Sequence, residues 1–407
     1  MSGKQTILVL EQLPYEKGNL HQYYNPEQYR FVFMLDERYY AKFPKSYLKL
    51  FDRIVVVKSY TYEEADRLVR EELSLAKSPK NLRLVCIDES NLLMVAALRE
   101  KYAIEGPVPD QIRPFRDKLI MKERLARSNV RLPKFIPWDS SEPADVTVKR
   151  VKDILGFPII VKPTDGMGSK NTYELPSEQS LIEFIRSNTD ESHYEFEERI
   201  TGTLYHCDSV IVDGEIKFAE VSRYTAPCLG FVNGQALGSI LLEEEDHLRN
   251  EILYVNAEVL RTLTTMDCVT HLEVFVDESG GVVFIEVAAR PPGGKIPVAL
   301  KQGLGVDLNE IAYRIELGLP LTVSIQRRHG AAWIYFPKTK EGIIRERMEP
   351  DLKSQYLLEW KVQVGEQVSK SVTSFDSAAE IVLTHEDCAV VRDDLRYLES
   401  FRPIVIS

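Results

Sequence analysis

The sequence predicts a multidomain chain of mixed α/β and α+β class. Three observations carry this. Residues 1–112 alternate strand-like and helix-like runs, the pattern of an open, mostly parallel sheet. Residues 113–320 then mix periodic helices with strands joined by tight turns, and the last stretch, Gln326 to Ser407, is rich in short strands. With 407 residues, the chain is long enough for two or three domains with cores of their own.

In the N-terminal part, "TILVLEQ", "YRFVFML", "DRIVVVKS" and "LRLVCID" read as strands. "TYEEADRLVREELSLAK" reads as a helix with Glu-to-Arg pairs at helical spacing. "SNLLMVAALREKYAI" reads as a second helix, with Ser90 as its N-cap. No G-x-G-x-x-G follows the first strand, which argues against a dinucleotide site there. "PVPDQIRP", from Pro107 to Pro114, marks a domain boundary. We divide the chain into an N-terminal α/β domain (1–112), two central parts (113–198 and 199–320) and a β-rich C-terminal lobe (321–407).

Within the central parts, "VKDILGFPIIVKPTDGMGSKNTYELPSEQSLIEFIRS" reads as helix, strand, Gly-rich loop, strand and helix. "LYHCDSVIVDGEIKFAEVSRY" predicts a hairpin turning at Asp213-Gly214, and "THLEVFVDESGGVVFIEVAAR" a second, turning at 278–281. Farther on, "WKVQVGEQV" alternates around Gly365, and "SFDSAAEIVLTHED" predicts a capped helix starting at Ser374 or Asp376.

Composition narrows the function. The net charge of −11 argues against a nucleic-acid binder, which would show a basic face. The five cysteines are scattered with no C-x-x-C pair, which suits reduced thiols in the cytoplasm and argues against structural zinc. The opening "MSGKQTILVLEQ" has too short an apolar run for a signal peptide, and no window is long enough for a membrane helix, so no membrane partner is expected.

The second hairpin carries the most specific chemistry. Glu273 and Glu286 stand at equal distances from its turn, so a regular antiparallel hairpin would set them opposite each other on one face. Opposed carboxylates repel unless a cation lies between them, and two carboxylates with waters and phosphate oxygens suit Mg²⁺. Arg290 and the run Pro-Pro-Gly-Gly follow directly. Lys162 ends the strand "FPIIVK" ahead of a loop in which Gly166, Gly168 and Ser169 offer backbone N–H groups to an anion, and Lys118 starts a helix. Taken alone, Lys162 and the acids of "EFEERI", Glu197 and Glu198, suit a solvated strand end and edge. His271 shares a face with Glu273, and His206 with Asp208; each is more often structural than catalytic.

The order of these features resembles the ATP-grasp superfamily: a DK helix start, a strand ending VKP with a Gly loop, EE-R-I, two hairpin acids, then arginine. The resemblance is strong from Pro107 to Pro320. "DESNLLMVAALREKYAIEG" resembles the helix of the family's preceding domain, and "FIEVAARPPGG" the branch holding L-amino-acid ligases and related carboxylate–amine ligases. It implies an N-terminal pre-ATP-grasp domain, a small lid subdomain within 113–198, and a catalytic part in 199–320. It implies ATP as cofactor, with one or two Mg²⁺ and Mn²⁺ as a substitute. Lys118 and Lys162 would contact phosphates, Gly166 to Ser169 would close over them, and Glu197, Glu198 and Ile200 would form the hinge reading adenine through backbone groups. Glu273 and Glu286 would hold the metal, and Arg290 would stabilise the transferred phosphate. Apart from the resemblance, His271 or another polar group is a candidate to assist deprotonation of an amine.

Two positions depart from the family pattern: Leu204 stands where an acid commonly binds the ribose, and Ala288 where an Asn commonly follows the second metal acid. The implied activity is amide-bond formation between two L-amino acids through an acyl phosphate. The implied partners are small-molecule amino-acid substrates, with a homodimer left open. Alternatives are a ligase acting on a carrier-protein thiol or a non-amino-acid amine, a phosphotransferase charging a protein histidine, and a non-catalytic ATP-binding regulator. Asp376 in the C-terminal lobe is a further candidate for substrate contact, although its context fits a helix cap better.

Overall fold

Four parallel strands, β1 (Gln5–Val9), β2 (Tyr29–Asp36), β3 (Arg53–Val57) and β4 (Leu82–Val85), form the first sheet in the order β3-β2-β1-β4. The computed structural model describes residues 4–13, 20, 23, 27–168, 170–188, 193–373 and 376–407, without the side chain of Leu229. Ser169 and Ser374 therefore lie outside the described residues.

The strands of this sheet read as apolar runs because both faces are covered. Leu8, Val32 and Leu84 pack towards Leu68 and Val69 of α3 (Tyr62–Ala76) and Val95 and Leu98 of α4 (Leu92–Tyr102). Ile7, Phe31, Phe33 and Val85 face the other way, into a cluster with Phe43, Phe51 and Tyr313. Two single turns, α1 (Glu37–Tyr40) and α2 (Lys45–Leu48), follow β2. Ser90 does not cap α4. Asn91 holds the cap position, and the Ser90 N–H is already donated to Asp88 Oδ1 in the preceding turn. The predicted boundary is a packed segment: α5 (Pro109–Ile112) and the turn after it bury Ile112 and Phe115 in the first core.

Next come α6 (Lys118–Leu125) and a small antiparallel sheet of β5 (Phe135–Pro137), β6 (Ile159–Pro163), β7 (Tyr173–Leu175) and β8 (Tyr194–Glu198), ordered β5-β8-β6-β7. Helices α7 (Ala144–Ile154) and α8 (Glu178–Ser187) cover one face. The alternation of "YEFEE" decides what the other face carries: Tyr194 and Phe196 enter the core with Trp138, leaving Glu195 and Glu197 on the opposite side.

The remaining strands are β9 (Gly202–Val212), β10 (Glu215–Tyr224), β11 (Leu237–Leu241), β12 (Cys268–Asp277), β13 (Val282–Ala288), β14 (Gly330–Pro337), β15 (Gly342–Arg347), β16 (Gln355–Trp360), β17 (Gln367–Val368), β18 (Ser377–His385) and β19 (Ile404–Ile406). Eight of them form one antiparallel sheet ordered β13-β12-β9-β10-β11-β14-β18-β16, which draws on residues from both sides of position 320. Helices α9 (His247–Leu263), α10 (Ile296–Leu304), α11 (Leu308–Leu317) and α12 (Cys388–Ser400) pack around it, and β17-β15-β19 form a separate small sheet.

One expected helix is a strand. "SAAEIVLTH" is β18, paired with β14 on one side and β16 on the other. Its Ala379, Ile381 and Leu383 enter one core and Val382 another, so both faces are buried. The Ser-Phe-Asp-Ser start resembles a helix cap, but β-branched residues between two waiting strands gain more from pairing. Asp376, just ahead of it, pairs with Lys338. Both hairpins form at the expected turns. Asp213 and Gly214 each take positive φ, 54° and 73°, as a two-residue hairpin turn requires.

Candidate active site

The pairing of Glu273 with Glu286 is real, but the hairpin is not regular. From Val276–Val282 to Val274–Phe284 the register runs without a break, and extending it would set Glu273 against Ile285. A bulge shifts the register by one residue, so Glu273 meets Glu286. Ile285 and Glu286 consequently both line the same cleft.

Each carboxylate is held by a donor. Tyr224 Oη donates to Glu273 Oε1 at 2.9 Å, and Lys118 Nζ lies 3.1 Å from Glu286 Oε2. Burial alone would raise the Glu286 carboxyl, but Lys118, Lys162 and Arg290 outweigh it and hold it down at about 2. Lys118 sits where it does because Asp117 caps α6, accepting from the N–H groups of Leu119 and Ile120. Its Nζ also donates to the Gly166 carbonyl at 2.7 Å, tying the glycine loop to the hairpin acids. Both carboxylates open on one cleft and offer only hard oxygen donors, which fits a Mg²⁺-type cation.

The charged face of the small sheet forms the roof. Lys162 Nζ lies 2.9 Å from Glu197 Oε1 and 3.8 Å from Glu195 Oε1. Burial works against the Lys162 charge, yet Glu197 and Glu195 raise its pKa above the ordinary lysine value. Lys122, on α6, contacts both acids from behind. These acids are buried, not a solvated edge. Glu197 is also bracketed by ladder partners on both sides, Phe135 and Ile160, so within the Glu197–Ile200 segment the backbone leaves the sheet only past Glu198.

Arg290 does not point freely at the cleft. Its Nε donates to Glu89 Oε2 at 2.6 Å, and its Nη1 to the Pro291 carbonyl at 2.8 Å. Arg116 grips the other oxygen of Glu89 and donates to the Asp165 carbonyl at 2.7 Å, just before the glycine loop. Burial would raise the Glu89 carboxyl, but Arg290 and Arg116 hold it below its ordinary value.

His271 is locked between two acids. Its Nδ1 lies 2.7 Å from Asp208 Oδ1 and its Nε2 3.5 Å from Glu273 Oε1. Burial disfavours its charge, but Asp208 and Glu273 raise it to about 9. With both ring nitrogens facing carboxylates, His271 is a donor to them and has no lone pair to accept a proton from an amine. That geometry opposes the expected base role. Asp208, held at about 2 by His206 and His271 against the pull of burial, accepts from both rings.

The cleft has a volume of about 380 Å³. Of the residues singled out in the sequence, Lys118, Lys162, Gly166, Glu197, Glu198, Ile200, Glu273 and Glu286 line it together. Gly168, His271 and Arg290 line a smaller adjoining space that shares Lys118, Met167 and Glu286 with it. The apolar wall comes from Ile160, Ile200, Leu204, Phe275 and Ile285.

The chain is 28% identical over 320 residues to the L-arginine-specific L-amino acid ligase of Bacillus subtilis, covering 72% of this chain and 73% of that one. Its fold superposes on the L-amino acid ligase of Bacillus licheniformis with a TM-score of 0.73 at 16% identity, over the whole of both chains. The chain has the ATP-grasp fold. The biotin carboxylase domain of Hydrogenobacter thermophilus 2-oxoglutarate carboxylase, solved with MgADP and bicarbonate, is similar at a TM-score of 0.69 and 16% identity, over 99% of this chain and 90% of that one. No family model matches.

In this chain the two departures are built into the walls. Leu204 is buried on β9 opposite Phe275, and among the polar residues that line the cleft are Thr201, just ahead of β9, and Asn233 and Gln235, after β10. Ala288 is buried opposite His271. The sequence reading missed Glu89, Arg116, Lys122 and Glu195. Glu195 alone had a local signal, the alternation that places it on the face of Glu197.

Proposed function

We propose that this ATP-dependent carboxylate–amine ligase joins two L-amino acids through an acyl phosphate. What carries the reading is one observation: Lys118, Lys162, Glu273 and Glu286, from four different elements, line a single cleft. Two ammoniums and two hard carboxylates, with a glycine loop beside them, form a donor set for a nucleotide triphosphate and its cation.

The apolar wall of Ile160, Ile200, Leu204, Phe275 and Ile285 takes the base, and Lys118 and Lys162 take the phosphates. Glu273 and Glu286 would hold Mg²⁺, which neutralises phosphate charge as it moves. A carboxylate oxygen of the first amino acid attacks the γ-phosphorus, the bond to the bridging oxygen breaks, and ADP leaves. The amine of the second amino acid then attacks the acyl carbon, loses a proton and expels phosphate, giving the amide. Arg290, at the border of the cleft, carries charge for the phosphoryl group in transfer. The likeness to two L-amino acid ligases supports amino acids as substrates.

The test measures phosphate release across all pairs of standard amino acids and identifies products by mass. The expected result is ADP, phosphate and a product equal to the two amino acids less one water. ATP turnover with no such product from any pair would overturn the dipeptide assignment.

A further inference from the structure

At the back of the cleft lies a set of four charges. Lys122 is fully buried, its Nζ 2.7 Å from Glu195 Oε1, in contact with Glu197 Oε2 and 4.9 Å from the centre of the Phe135 ring. Lys162 takes the remaining Glu197 oxygen. Lys162 and Glu197 line the cleft, while Lys122 and Glu195 do not. Lys122 therefore cannot touch anything bound there and acts only through its neighbours.

Charge balance shows what it does. Two ammoniums face two carboxylates, so the set is neutral. Without Lys122, one ammonium would face two buried carboxylates. The roof would then be net negative, and Lys162 would be drawn back towards the acids. A polyanion entering the cleft would meet repulsion where it now meets a positive group.

We propose that Lys122 is a positioning residue for anion binding: it neutralises Glu195 and Glu197 from behind, so the charge of Lys162 stays directed at the cleft. This inference rests on reading the cleft as a nucleotide site.

The experiment measures the ADP dissociation constant by calorimetry in Mg²⁺, together with melting temperature, for Lys162→Met, Lys122→Met, Glu195→Gln and the double variant Lys122→Met/Glu195→Gln. Lys122→Met should weaken ADP binding by about tenfold or more. The double variant should recover most of that loss, because one ammonium again faces one carboxylate. Glu195→Gln alone should bind ADP at least as tightly as the parent. A packing role predicts the opposite order, with the double variant worst, since it removes a second partner.

Parent-like ADP binding by Lys122→Met, or no recovery in the double variant, would overturn the proposal. Should Lys122→Met fail to fold, Glu195→Gln decides, and weaker ADP binding there overturns it. If Lys162→Met leaves ADP affinity unchanged, the nucleotide reading of the roof falls and takes this inference with it. If Lys162→Met weakens binding and Lys122→Met does not, only this inference falls.

Discussion

Arg290 and Glu89 lie 201 residues apart in sequence, yet Arg290 Nε donates to Glu89 Oε2 at 2.6 Å and Nη2 lies 2.5 Å from the same oxygen. The turn after β4 thereby holds the arginine that borders the cleft. Glu89→Gln should keep the charge of Arg290 but loosen its aim. Single-turnover ADP formation should fall by about tenfold, with ADP affinity little changed, because the lost interaction matters most in the transition state. Arg290→Ala should fall further, and Arg290→Lys should be an intermediate case, keeping charge without the fork. A folded Arg290→Ala with the parent rate would remove Arg290 from the reaction.

Glu286→Gln tests the metal assignment. It removes a negative ligand and leaves Lys118 facing a neutral amide. ATP turnover at saturating Mg²⁺ should drop by about a hundredfold or more, while melting temperature stays close to that of the parent. Near-normal turnover would sink the assignment.

Asp208→Asn tests the buried chain His206–Asp208–His271. Asp208 is fully buried and its two oxygens serve the two rings. Removing its charge leaves His271 facing one carboxylate instead of two. The expected cost is about 3 kcal/mol, the scale of breaking a buried charged contact, read as a clear fall in denaturant midpoint. An unchanged midpoint would mean the rings do not depend on Asp208.

Glu11 gives a pH dependence. It is fully enclosed two residues past the end of β1, and burial raises it from 4.5 to about 8 although Tyr313 Oη and the Ile87 N–H both donate to it. Between those values the folded chain keeps a proton that the unfolded chain has lost. Stability from this group is therefore complete below about pH 4.5 and is lost as pH rises towards 8. Glu11→Gln cannot ionise. Its melting temperature should gain on the parent steadily from about pH 5 to about pH 8.5, and parallel curves would refute the raised carboxyl.

The sequence by itself determined the class of the fold and the main charged groups that line the cleft. Apolar runs bounded by Gly, Asp and Pro mark β1, β2, β4, β6, β12 and β13. Lys162 and Glu286 stand at or near the ends of such runs, Glu273 lies within one and Lys118 opens a helix, where local pattern predicts direction. That the two hairpin acids meet was also legible, although the counting assumed a regular ladder and the chain reaches the pairing through a bulge at Ile285. Only the tertiary structure decided the rest. Whether "SAAEIVLTH" became helix or strand depended on β14 and β16 standing ready on either side, which no local propensity records. Lys122, Glu195, Glu89 and Asp208 take partners 73, 201 and 63 residues away, brought close by packing of separate elements. A buried charge must find its counter-charge wherever the fold places one, because leaving it unpaired costs more than a domain can spare. Sequence spacing carries no trace of that pairing.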